Sequence, residues 1–130
     1  SFAALARSFQ AQKQYDKAER FFRMALDIQE RALGTYHPEL ASTRDELGRL
    51  FMVQEKWAEA ETAFRIALTA RTARFGREGA ELALSWSNLA DLYTRLGRVD
   101  EAEMLYRQAL SVRLRGLGAD DPLVQESRIE

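Results

Sequence analysis

One feature limits what this chain can fold into: its sequence repeats every forty-two residues, without a gap, from end to end. Leu5-Ala6-Arg7 returns as Leu47-Gly48-Arg49 and again as Leu89-Ala90-Asp91. Ala18, Ala60 and Ala102 coincide, as do Glu19, Glu61 and Glu103, then Arg23, Arg65 and Arg107. Ala25-Leu26, Ala67-Leu68 and Ala109-Leu110 follow, and Gly34, Gly76 and Gly118 close the units. Aromatic and aliphatic matches fill in between: Phe9, Phe51 and Tyr93; Phe22, Phe64 and Tyr106; Leu33, Phe75 and Leu117. A period of this length marks a stack of equivalent supersecondary units, each burying its apolar face against the next.

Within each unit the apolar spacing is helical. Leu82, Trp86, Leu89, Tyr93 and Leu96 advance by four, three, four and three, which draws one stripe down a helix. A second stripe runs through Ala102, Tyr106 and Ala109. The pattern predicts helices over 1–13, 16–33, 38–54, 58–75, 79–96 and 100–117, with a further helix starting at 122, all joined by short links that force antiparallel packing. The units are then 1–37, 38–79 and 80–121, with 122–130 opening another. Asp16 and Asp100, each followed three residues on by Glu19 or Glu103, fit a capping box. Gly34, Gly76 and Gly118 suit the left-handed position after a helix end. His37-Pro38 and Asp121-Pro122 place proline in the first turn of the next helix, where its missing N–H costs nothing. With apolar residues at 46% of 130, a core is affordable. The expected core is Leu5, Phe9, Ala18, Phe22, Leu26, Leu47, Phe51, Ala60, Phe64, Leu68, Trp86, Leu89, Tyr93, Ala102, Tyr106 and Leu110. The Glu-to-Arg pairs at i,i+4 in every second helix read as local helix support, about 0.3–0.5 kcal/mol each.

These residues carry a family resemblance. Leu89-Ala90-Asp91-Leu92-Tyr93, Gly97, Asp100-Glu101-Ala102-Glu103 and Tyr106-Arg107-Gln108-Ala109-Leu110 resemble a tetratricopeptide repeat. The long period and the Leu33-Gly34-Thr35-Tyr36-His37-Pro38 junction are similar to the kinesin light chain subclass. The resemblance spans the whole chain and implies an all-α, right-handed α-solenoid of three antiparallel helix-turn-helix repeats plus a partial C-terminal helix. It also implies that the first helix of each pair lines a concave groove that binds a peptide or protein segment. The matching positions are Ala3, Ala4, Arg7 and Gln10 in the first unit, Asp45, Glu46, Arg49 and Met52 in the second, and Ser87, Asn88, Asp91, Thr94 and Arg95 in the third. Relatives that grip a peptide backbone place Asn where Asn88 stands. Ala4 and Glu46 occupy the equivalent positions here, so an Asn ladder is absent. Nor do Ala3, Asp45 and Ser87 match the Lys/Asn/Arg set that clamps a terminal carboxylate.

Nineteen basic and twenty acidic residues leave a net charge of −1, which gives no field for nucleic acid or an anionic membrane. There is no cysteine, and the lone His37 sits at a repeat junction, so no catalytic, cofactor or metal site is expected. Asp45-Glu46 and Asp120-Asp121 lack calcium-loop spacing, and Gly76 to Gly79 lacks the lysine of a phosphate loop. Trp57 and Trp86 fall at apolar helical positions. No apolar run is long enough to span a membrane, and a cytoplasmic location is the expectation. The chain begins at Ser1 and stops as a fourth unit opens, so it reads as part of a longer array whose exposed ends could self-associate. The expected role is a non-enzymatic scaffold with a protein or peptide partner. The alternative is a regulatory or sensor arm of a larger protein that carries a protease, ATPase or DNA-binding domain.

Overall fold

The computed structural model describes residues 1–77 and 79–117. Among the described residues there are six helices and no strand: α1 (Phe2–Ala11), α2 (Tyr15–Leu33), α3 (Pro38–Val53), α4 (Trp57–Phe75), α5 (Leu82–Arg95) and α6 (Val99–Leu117). They fall into two compact units, Ser1–Arg74 and Phe75–Glu130. Gly118, Asp120, Asp121-Pro122 and the expected helix from 122, with Leu123, Val124 and Ile129, lie outside the described residues.

The turn inside each helix pair is built the same way three times. Lys13, Glu55 and Gly97 occupy equivalent positions, and all three have positive φ, at 62°, 60° and 80°. Their N–H groups donate to the carbonyls of Gln10, Met52 and Thr94 at 2.9, 3.0 and 3.1 Å. The next N–H groups, of Gln14, Lys56 and Arg98, reach back to Phe9, Phe51 and Tyr93 at 2.9, 2.8 and 2.8 Å. This is the double bond of a Schellman helix end, which satisfies two otherwise orphaned carbonyls. In the second and third turns it is reinforced by a cation over a ring: Lys56 lies 6.0 Å from the Phe51 centroid and Arg98 4.2 Å from that of Tyr93.

Helix starts depart from expectation in two places. All three second helices begin one residue early, at Tyr15, Trp57 and Val99, so Asp16 and Asp100 sit in the first turn instead of capping it. The cap position of α2 is Gln14, whose side chain makes no capping bond. The Schellman bond fixes the backbone at residue 14 and hands it directly to the next helix, which leaves no room for a capping box. Helix α5 begins at Leu82 instead of 79, because the middle link has no equivalent of His37-Pro38. At that pair Pro38 is the first residue of α3, and His37 Nδ1 accepts from the Glu39 N–H at 3.2 Å. Gly34 and Gly76 have φ of 88° and 83°.

In the first unit, packing turns on small residues facing rings. Phe22 and Phe64 are fully buried, as are Ala6, Ala18, Ala60 and Ala67. A Cβ built on Gly48 would lie 2.5 Å from Phe64 Cε1, so α3 and α4 approach as closely as a missing side chain allows. Phe21 departs from the repeat, with Ala63 and Leu105 at its equivalent positions. Its ring stacks on Phe9 at 5.3 Å and on Phe2 at 5.9 Å. The first-helix residues Leu40, Leu47, Leu50 and Phe51 complete this core. In the second unit, Leu82, Leu89, Leu92 and Tyr93 of α5 are buried, with Ala102, Ala109 and Val112 of α6.

Most of the expected core is buried or half-buried, but Leu5, Tyr106 and Leu110 are exposed at 45%, 41% and 47%. Tyr106 and Leu110 match Phe22 and Leu26 of α2, against which α3 packs; no described helix follows α6. Leu5 matches Leu47, which shares a cleft with Leu26, and it has no such neighbour among the described residues. The i,i+4 pairs form as read, Glu19 with Arg23, Glu61 with Arg65 and Glu103 with Arg107.

Gly48→Ala tests the close approach. The Phe64 ring is walled in, so the extra methyl must push the helices apart, and overpacking of this kind costs about 1–3 kcal/mol. The urea midpoint should fall, whereas Ala90→Gly at the equivalent site of α5 should cost only helix propensity, ~1 kcal/mol.

Candidate functional site

The expected binding face is built from the polar residues of the first helices, and each unit presents its own stretch. In the first unit, Arg7 of α1 and Glu46 of α3 meet in a two-pronged pair, Nε to Oε2 at 3.0 Å and Nη2 to Oε1 at 2.9 Å. The pair ties the first helices of successive repeats together while keeping solvent contact, with 57% and 34% of the two side chains exposed. The Glu46 hydrogen bond and its charge raise the Arg7 pKa further above its ordinary value. A pair this exposed contributes about 0.2–1 kcal/mol; its larger effect is to hold both groups in one orientation. Arg49 is exposed on the same helix as Glu46, and Gln10 is half-buried on α1.

Asp45 and Met52 are not offered to solvent. Met52 is buried in the core. Asp45 is buried and bonded across the helix pair to Arg71 of α4 at 2.6 Å, with only 7% and 6% of these side chains exposed. The reason lies in register: residues twenty-six apart in the sequence face each other across a helix pair. The same geometry recurs in the second unit, where Arg113 of α6 donates to Ser87 Oγ of α5 at 3.3 Å. In the first repeat the matching residues are Ala3 and Gln29, and the buried Gln29 Oε1 has no hydrogen-bond partner. One position thus carries an ion pair in one repeat, an arginine–hydroxyl bond in another, and an alanine facing a glutamine in the first.

In the second unit, Asn88 is buried to 1% exposure, whereas Ser87 and Asp91 are half-buried and Thr94 and Arg95 exposed. Asp91 accepts a hydrogen bond from the Tyr106 hydroxyl of α6. That bond, helped by burial and by the carboxylate's charge, raises the Tyr106 pKa above 10.0, against a small opposing effect from Thr94. Thr94 Oγ1 turns back to the Ala90 carbonyl at 2.8 Å. Arg71, Tyr106 and Arg113, all on second helices, shape the site, although a reading of first-helix positions alone does not reach them. Among the described residues no group of three or more His, Asp or Glu could hold a metal ion, and no helix is long and apolar enough to cross a membrane.

The sequence profile of the tetratricopeptide repeat matches residues 2–52 and 46–115. No curated protein sequence matches the chain. Among solved structures, that of BtubC (BKLC) from P. vanneervenii superposes with a TM-score of 0.79 at 26% identity, covering 88% of this chain and 45% of that one. A Podosopora anserina chain assigned to the kinesin light chains, with nearly identical TPR-like repeats, gives a TM-score of 0.75 at 24% identity, covering 93% and 57%. A point variant of it gives 0.76 at 25%, with the same coverage. The chain therefore spans about half the length of the solved structures it matches.

Two expectations follow from the geometry. Asp45→Ala removes the carboxylate that Arg71 pairs with in the core and should cost about 3–5 kcal/mol. Adding Arg71→Gln recreates the Ala3–Gln29 arrangement of the first repeat and should restore more than half of that loss; urea melts of the two variants check it. The Tyr106–Asp91 bond requires a neutral phenol. Because the folded pKa lies above 10.0, the stability it contributes is fully present below that pH and is lost as pH rises through the folded value. Tyr106→Phe should therefore show a shallower alkaline loss of stability than the natural chain, read as urea midpoints between neutral and strongly basic pH.

Proposed function

The chain belongs to the tetratricopeptide repeat family, kinesin-light-chain-like, and we propose from that premise that it is a non-catalytic scaffold holding a segment of another protein against its first helices. Repeats of this family are generally protein-interaction modules. The observation that carries the finer reading is the Arg7–Glu46 pair. It spans successive first helices, stays in contact with water, and leaves Arg49 exposed beside it. A partner meeting this face finds charged groups already oriented, so less side-chain freedom is lost on binding. In the first unit the contact set is Arg7, Gln10, Glu46 and Arg49; the second unit presents Ser87, Asp91, Thr94 and Arg95. Asp45, Met52 and Asn88 support this surface from beneath. Mixed charge favours a peptide carrying both signs, in extended or helical form.

Peptides selected by display on the intact chain, then measured by fluorescence anisotropy, test this. Each arginine contact is expected to carry ~1–2 kcal/mol, so the double variant Arg7→Ala, Arg49→Ala should bind at least about tenfold more weakly while its helical circular dichroism is unchanged. Unaltered affinity in that variant would remove the first-helix face as the binding surface.

A further inference from the structure

The middle repeat contains a cleft that the repeat pattern alone would fill. It lies between α2, α3 and α4, has a volume of about 420 Å³, and is floored by Leu26, Leu47, Phe51, Ala63 and Ile66. Its size is in the lower part of the ~300–1,000 Å³ typical of ligand sites. Two departures from the repeat open it. Where the first and third repeats carry Phe21 and Leu105, the middle one carries Ala63. Where they carry Phe2 and Trp86, it carries Arg44. In the first repeat Phe2 and Phe21 stack face to face and occupy this space. The middle repeat has exchanged a bulky apolar pair for an alanine and a cation. Thr62, beside Ala63, is likewise smaller than its counterparts Arg20 and Met104.

Arg44 indicates what the cleft would accept. Its Nε is buried and has no hydrogen-bond partner. A buried donor left unmade is costly, and a charged one more so; repacking with an aromatic, as in the other repeats, would remove that cost. The nearby Arg23 is already held by Glu19 at 3.1 Å and lies 5.9 Å from the Phe51 centroid. Glu59 on the α4 rim is exposed and disfavours an acid on that side. The vacant charge complement is therefore a carboxylate approaching along α3, and the apolar floor asks for an aliphatic side chain next to it.

We infer that this cleft is a second peptide-binding site, separate from the first-helix face, and that it takes a short acidic segment in which Asp or Glu adjoins Leu or a similar side chain. The carboxylate meets the Arg44 guanidinium, and the aliphatic group fills the space that Phe21 fills in the first repeat.

The test uses the whole chain, ¹⁵N-labelled, titrated with the capped peptide acetyl-Ala-Leu-Glu-Ala-amide and followed by NMR. Saturable shifts are expected at Leu47, Ala63 and Ile66. The same peptide with Gln for Glu should bind at least tenfold more weakly. Arg44→Gln should lose binding by a similar factor. Ala63→Leu, which restores the residue found in the third repeat, should abolish binding by filling the cleft, and keeps the test decisive if Arg44→Gln misfolds. Retained binding in Ala63→Leu, equal affinity for the Gln peptide, or no saturable shift at millimolar peptide would each overturn the inference. So would matching shifts with acetate alone, since the cleft would then be a simple anion site.

Discussion

The architecture depends on how closely the two helices of a pair can approach. At the contact a ring enters a socket whose opposite wall is a small residue: Phe22 in the first repeat, and Phe64 against Gly48 in the second, where even a Cβ would collide. Alanines at positions 18, 60 and 102 are fully buried, with at most 2% of their surface exposed, and keep the second helix within reach of its partner. Close-packed interiors do not absorb an added methylene without displacement. An insertion in either helix would take the ring out of its socket, and this accounts for a period that runs through the chain without a gap.

The turns show the same dependence from the other side. Lys13, Glu55 and Gly97 share a left-handed backbone that only the last adopts without strain, a difference of roughly 1–2 kcal/mol for the other two. The conformation is dictated by where the next helix must begin, and the residue accommodates it. The second turn compensates with Lys56 over Phe51. Glycine is thus a sufficient signal for this turn and not a necessary one, and a search for glycine alone finds one turn of three.

Periodicity reveals which residues are equivalent, so the helices, their pairing and the greater part of the core followed from it, with ends misplaced by a few residues where cap geometry differed. The Asp-x-x-Glu spacing at Asp16 and Asp100 resembles a capping box, but the Schellman bond already fixes the preceding backbone. Equivalence does not reveal what a side chain faces. Asp45 belongs to the first-helix series that includes Ser87, yet its environment is decided by Arg71 on a different helix. Seeing that requires two periodic positions to be combined through the antiparallel packing, which fixes the twenty-six-residue offset. Arg7 with Glu46 poses the same problem between repeats.

Once the frame is set by small residues and rings, differences between equivalent positions carry the individuality of each repeat. The middle repeat stands out twice. Inside its helix pair it places Asp45 with Arg71, where the first repeat has Ala3 with Gln29. Beside that pair it places Arg44 and Ala63, where the first repeat has the stacked rings of Phe2 and Phe21. At both places arginine stands where the first repeat has an apolar or neutral side chain, although the third repeat also carries an arginine, Arg113, at the position of Arg71; burying the Asp45 and Arg71 charges works against stability, since desolvation is seldom fully offset by the partner. The Asp45–Arg71 pair at least closes on itself. At Arg44 the Nε donor is left without a partner, next to an open apolar cleft, whereas stacked rings stand at the matching positions of the first repeat. A carboxylate entering the cleft would supply the acceptor that this donor lacks, which is the pairing the inferred acidic segment provides.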